Sequence, residues 1–246
     1  MSDLQNPYNP YAPPSEDEVF QAPAEEFYKS SEGLAAALRV VLGVNVAVLM
    51  ISIGVMSMQV ELLQRATRGT ISMAEAETND LRVLIATSVS LLALVVGGIL
   101  WCIWQNRTSK NVRALGAENL QFGPNAWGWF FCPVVNLWRP VSVISELWTA
   151  ASDADSQDDE VVPPNWLIGG WWLPWLLGGI ISRIAAKMAE DTSDIGALVT
   201  SSQWEMVSDV LIAISGVFAI LLVTKLQKRV RARAARPRRA QTKGLL

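Results

Sequence analysis

Residues Trp127 to Pro140 read WGWFFCPVVNLWRP. The stretch is apolar enough to enter a membrane, yet it holds Arg139 and two prolines, Pro133 and Pro140. If Ala126 to Trp148 crossed as an ordinary span, Arg139 would sit near its middle, where insertion scales charge about 2.5 to 3.5 kcal/mol for an arginine. Pro140 inside such a helix would also remove a backbone hydrogen bond. Trp127, Trp129, Trp138 and Trp148 would be spread over every depth, although tryptophan favours the headgroup level. We therefore read Trp127 to Trp148 as an interfacial or re-entrant element. Pro140 suits the first turn of a helix in which Val141, Ile144 and Trp148 share a face with Val143 and Leu147. Glu146 then points away from lipid.

The flanks decide the class. Hydrophobic residues make up 51% of the 246, charged residues only 17%, and mean hydropathy is +0.26. Val40 to Met58 runs 19 residues without a charge and Val83 to Trp104 runs 22. At 1.5 Å per residue the second is roughly 33 Å long, enough for a hydrocarbon core of about 30 Å. Two further spans are expected, at Trp166 to Ile181 and at about Val207 to Thr224. The former has only 16 residues, about 24 Å, and requires tilt or local thinning. The expected fold class is an all-α integral membrane protein with four transmembrane helices plus the proline-broken interfacial or re-entrant helical element. Between the first two spans, Gln59 to Arg82 contains helix formers such as MAEAE and suggests a short extramembrane helix. Trp101 and Trp104, followed by Arg107, Lys110 and Arg113, read as an aromatic belt backed by cations.

Cations choose the threading. With four spans, both termini inside and the element kept on that side, 15 of the 20 Lys and Arg lie inside and five outside. Threading the element as a fifth span with the basic tail inside leaves 12 inside and seven outside, with Arg139 in the membrane. The positive-inside rule selects the first. The expected location is a bacterial cytoplasmic membrane with both termini cytoplasmic. No basic segment precedes a short apolar core near Met1, so the first span is expected to be an uncleaved anchor.

Three regions are expected. Residues 1–33 form a disordered cytoplasmic tail, which contains NPYNPYAPPSEDE and holds seven acidic residues and one lysine between Met1 and Glu32. Residues 34–226 form the membrane domain, and 227–246 a basic cytoplasmic tail. Lys225 to Lys243 carries nine Lys and Arg and no acid, a composition suited to anionic lipid headgroups. Nucleic acid is the rival partner for KRVRARAARPRR and is set aside in favour of a juxtamembrane anchor. Protein partners or a second copy of the chain remain candidate partners for the tails and helix faces.

No chemistry announces itself. Histidine is absent and the two cysteines, Cys102 and Cys132, do not form a CxxC pair. No P-loop, GxSxG, HExxH or dinucleotide fingerprint occurs. No catalytic, cofactor or metal residue is assigned. The candidate functional or structural residues are Pro133, Asn136, Trp138, Arg139, Pro140, Glu146 and Asp209. Arg139 and Glu146 stand two helical turns apart and Asp209 lies early in the last span. Ionisable groups at membrane depth are functional candidates, and a structural ion pair explains them equally well. Asn136 could satisfy backbone groups exposed by the break, and Asn45 could bond between helices. Small residues four apart, such as Gly178 with Ser182 and Ser215 with Ala219, permit close helix approach. Eight of eleven tryptophans fall between Trp127 and Trp175. They suit interface anchoring, or an aromatic-lined lipid or ligand pocket.

NVRALG at Asn111 to Gly116, WFFCPVVNLWRP at Trp129 to Pro140, ELW at Glu146 to Trp148 and WLIGGWW from Trp166 together resemble the bacterial membrane family called domain of unknown function 4328. The resemblance covers roughly Leu34 to Leu226. It implies a multi-pass membrane protein and carries no catalytic residue with it. The expected function is a non-enzymatic scaffold or regulatory partner, with a small transporter or channel using the broken element around Arg139 as the alternative. A lipid-modifying enzyme ranks last, for want of histidine or a paired-carboxylate motif.

Overall fold

The computed structural model describes residues 27–152, 165–190 and 194–235. The Asn-Pro-Tyr repeat, the acidic loop from Asp153 to Glu160 and the end of the basic tail lie outside them. The described residues form five α-helices: α1 (Glu32–Ala66), α2 (Met73–Ala114), α3 (Arg139–Ala151), α4 (Asn165–Met188) and α5 (Ile195–Ala235). Two 3-10 turns, Ala126–Phe131 and Val135–Leu137, precede α3, and no strand occurs among the described residues. α1, α2, α4 and α5 are each long and apolar enough to cross a membrane. The protein is an all-α, four-span membrane protein with the proline-broken element set between its second and third spans.

Several expectations are revised. No separate helix forms between the first two spans. α1 and α2 run on through Gln59 to Arg82 and meet in a turn at Gly69, whose φ is 69°. Extending an existing helix through MAEAE adds a hydrogen bond per residue without a new nucleus. A capping box starts α2: the Glu75 amide donates to Ser72 Oγ at 3.3 Å and the Ser72 amide donates to Glu75 Oε2 at 2.9 Å. Arg65 also reaches Glu75 Oε1 at 3.1 Å. Similarly, α4 has 24 residues rather than 16, about 36 Å, so no unusual thinning is needed.

The helices stand in a row, α2–α1–α5–α4, each packed along its neighbour. The row bends until Trp101 of α2 stacks on Trp171 of α4, with ring centroids 4.9 Å apart and planes at 21°. α3 lies across this end of the row, touching α2, α4 and α5. Its buried face is Pro140, Val143, Ile144, Leu147, Trp148 and Ala151. Thirteen residues, about 20 Å, cannot cross a core of about 30 Å.

The core gathers here, around Trp104, Trp148, Ile144, Leu167, Leu222 and Leu226. Farther along the row Leu84, Ile85, Leu91 and Leu92 stay exposed. Apolar side chains gain little by leaving lipid for a helix interface. Under α3, where an end of the bundle meets water, burying them is favourable. Trp101 and Trp104 belong to this core, with exposures of 7% and 0%. The expected aromatic belt is therefore corrected, because a fully enclosed ring cannot anchor at headgroups.

The α4/α5 seam has a heptad of serines. Ser201, Ser208 and Ser215 of α5 donate to the carbonyl oxygens of Ala185, Gly178 and Trp171 at 2.8, 3.0 and 2.6 Å. Glycine lets the backbones close. A Cβ on Gly178 would stand 3.2 Å from the Ser208 carbonyl oxygen, and one on Gly170 would enter the Phe218 ring.

The stretch leading into α1 and the last turns of α5 are stitched into the α3 end. The Lys29 amide donates to Asn111 Oδ1 at 3.1 Å, Asn111 Nδ2 to Ser31 Oγ at 3.3 Å, and Ser31 Oγ to Gln227 Oε1 at 3.0 Å. The expected N-terminal tail thus ends in a docked stretch from Tyr28, which also packs on the core. On the other side α5 continues to Ala235, into the stretch read as a basic tail from residue 227, with Gln227 and Val230 buried. Arg233 donates to the carbonyls of Leu115, Ala150 and Ser152. Arg229 donates to Ser152 Oγ at 2.6 Å and lies over Trp148.

Candidate functional site

The loop from Gln121 to Leu137, which leads into α3, is held from three sides. Asn106 of α2 donates to the Pro124 carbonyl at 3.1 Å and to Asn125 Oδ1 at 2.9 Å. Trp172 Nε1 of α4 donates to the Leu137 carbonyl at 3.0 Å. From α3, Glu146 accepts the backbone amides of Gln121 and Phe122, the second at 3.1 Å. Arg113 Nη2 donates to the Phe122 carbonyl.

Arg139 and Glu146, candidates as a pair, are not brought together. Glu146 is occupied by the loop amides. The Arg139 guanidinium lies 5.2 Å from the Phe122 ring centroid and 5.6 Å from that of Trp129, close enough for cation–π attraction to both rings. Among the described residues no carboxylate pairs with it. It lines a depression of about 580 Å³ with Gln121, Asn125, Gly128 and Cys132.

The remaining candidates divide. Pro140 is buried in the first turn of α3, as its fixed φ suits. Pro133 and Trp138 are exposed, and the Trp138 carbonyl accepts the Ser142 amide at 3.2 Å. Asn136 does not satisfy the broken backbone with its side chain. Its amide N–H donates to the Cys132 carbonyl at 2.7 Å, while its buried Oδ1 has no partner among the described residues. Asp209 is buried at 6% exposure, with Ser52 of α1 beside it and Glu205 one turn away. Glu205 accepts from Ser182 Oγ at 3.0 Å. This group lies toward the opposite end of the bundle from Arg139.

A crevice of about 920 Å³ lies between α2 and α4, floored by α1 and α5. Leu94, Gly98 and Cys102 form one wall and Trp171, Trp172 and Trp175 the other, with Phe130 and Asn136 of the loop at its α3 end. Aromatic contacts brace that end: Trp172 stacks on Trp175 at 4.7 Å, and Phe130 meets Trp172 edge-on at 5.8 Å. Asn45, expected to bond between helices, lines the crevice instead, and Arg183 reaches it too. Of the candidate residues in the broken element, Asn136 reaches this space while Arg139 and Glu146 do not.

Sequence reasoning named the loop and missed the crevice. The tryptophan count pointed to it, with an aromatic-lined pocket as one alternative, but nothing in the sequence shows which helices are neighbours. The serine ladder has a sequence signal of its own, because Ser201, Ser208 and Ser215 are spaced by sevens.

Among the described residues no cluster of three or more His, Cys, Asp or Glu could hold a metal ion. No curated protein and no solved structure matches the chain. Residues 67–228 match the family described as domain of unknown function, DUF4328. That stretch takes in α2 through the docked part of α5 and leaves α1 outside, a shorter reach than the resemblance from Leu34 suggested. The stitched loop, α3 and both walls of the crevice fall within it, and the chain belongs to the DUF4328 family.

Proposed function

We propose that this protein is a non-enzymatic scaffold or regulatory partner in a bacterial cytoplasmic membrane, with its two oppositely charged tails held side by side on the cytoplasmic face. One observation carries the reading: the roots of both tails are joined. Ser31 bonds to Gln227 at 3.0 Å and Glu32 to Arg231 at 2.7 Å. The ion pair is exposed and worth little by itself. Its value here is positional, because an acidic segment and a basic segment leave from one platform built of α3 and the ends of α1, α2 and α5.

Charge sorting supports the orientation. Arg107, Lys110, Arg113 and Arg139 share the α3 end with the α5 terminus, while Arg65, Arg68 and Lys187 lie at the other. The basic residues past Ala235 suit anionic headgroups or an acidic partner. Deleting residues 1–26 and 236–246 should abolish recovery of partners from native membranes and leave insertion intact. Unchanged partners would refute the scaffold reading. A cysteine placed at Thr70 should react with an impermeant reagent from outside the cell and one at Ala117 only after lysis, and the reverse pattern would overturn the orientation.

A further inference from the structure

We propose that the crevice between α2 and α4 holds an acyl chain of a membrane phospholipid, taken laterally from the leaflet on the α3 side. The mouth opens onto lipid-facing surface. Leu94, Val95 and Ile99 on its α2 lip are all at least 46% exposed. A groove at this depth therefore meets hydrocarbon before it meets water.

Its dimensions suit one leaflet. On α2 the lining runs from Leu94 to Asn106, a rise of about 18 Å, against about 15 Å for half of the hydrocarbon core. A volume of about 920 Å³ falls within the roughly 300 to 1,000 Å³ usual for ligand pockets. The aromatic contacts between Trp101, Trp171, Trp172 and Trp175 keep the helices apart below them, so the floor of α1 and α5 stays uncovered. An acyl chain there recovers dispersion contacts along both walls.

The interfacial end accounts for the rest of the lipid. Asn125 borders both the crevice and the depression that holds Arg139. A guanidinium held over two rings and free of carboxylates among the described residues is a suitable neighbour for a phosphate. This commits the occupant to a phospholipid rather than a neutral lipid.

Two glycines make the test specific. A Cβ on Gly98, in the crevice wall, and one on Gly54, on the outer face of α1, each meet nothing within 4 Å. Native mass spectrometry of the full chain after detergent exchange should find about one retained phospholipid per wild-type chain. Gly98→Trp should reduce that retention about tenfold, and Gly54→Trp should leave it unchanged. Equal retention in the two variants, a free fatty acid or neutral lipid in its place, or no lipid in wild type would overturn the proposal.

A second measurement needs no crevice mutation. Cys102 lines the crevice and Cys132 does not. Reloading delipidated protein that carries Gly54→Cys, on the outer face of α1, with phospholipid should slow maleimide modification of Cys102 about tenfold relative to that of the added cysteine. An unchanged rate, or ready oxidative linkage of Cys102 between two chains, would overturn the proposal, the latter by assigning the crevice to a second copy.

Discussion

The Ser208 hydroxyl donates to the carbonyl oxygen of Gly178 across 3.0 Å, at a point where the α4 and α5 backbones nearly touch. The same bond recurs a heptad away in both directions, because antiparallel helices that meet every seven residues present a serine and a carbonyl at each return. Each such bond is worth about 0.6 kcal/mol by membrane double-mutant cycles. Ser208→Ala should therefore lower stability only slightly, and Gly178→Leu by about 1 to 3 kcal/mol through overpacking. Unfolding in mixed micelles measures both; equal effects would show that the seam does not depend on close approach.

Asn111 joins the N-terminal stretch to α2 through both ends of its amide. Asn111→Ala releases the Lys29 amide and loses a partner of Ser31. Lys29 is exposed, so its amide turns to water, and the loss is that of the buried Asn111–Ser31 bond, about 0.5 to 1.5 kcal/mol. Hydrogen exchange at residues 27–31 should rise at least tenfold while the α4/α5 seam is unchanged.

Arg139 and Glu146 act separately. Glu146→Ala should free the Gln121 and Phe122 amides to exchange, whereas Arg139→Ala should leave those amides protected. In a double-mutant cycle on stability any coupling should run through Phe122, which both touch, and should fall to within about 0.5 kcal/mol in a Phe122→Ala background. A larger coupling would restore the ion pair that the sequence suggested.

The turn joining α1 and α2 should respond to acid. The Ser72 amide and then Arg65 hold the Glu75 carboxyl below its ordinary value of 4.5. A depressed folded value means the stabilisation is present above the unfolded carboxylate value and is lost as pH falls through the folded one. Amide chemical shifts of residues 72–76, followed from pH 6 to pH 2, should move with an apparent midpoint below 4.5. Glu75→Gln should abolish that transition, and a midpoint above the ordinary value would contradict the cap.

The interfacial element was legible because its penalties are local. Arg139 costs the same in hydrocarbon whatever surrounds it, and Pro140 dictates a first turn through its own ring. Asn136 was misread because its backbone partner is Cys132, while the loop from Gln121 to Leu137 is held by Asn106, Trp172 and Glu146 from three helices. No local rule links positions so far apart along the chain.

By itself the sequence determined the four spans, the refusal of Trp127 to Trp148 to cross, and the sorting of cations to one end. Transfer from water to lipid depends on each segment's own composition and length. Only the tertiary structure decided the order α2–α1–α5–α4, and with it the crevice and the docking of the stretch before α1 and the last turns of α5. Helices apolar on every side carry no stripe that names a neighbour. In lipid their partners are chosen by glycine clearances, serine bonds and stacked rings, and those become visible only once the helices are in place.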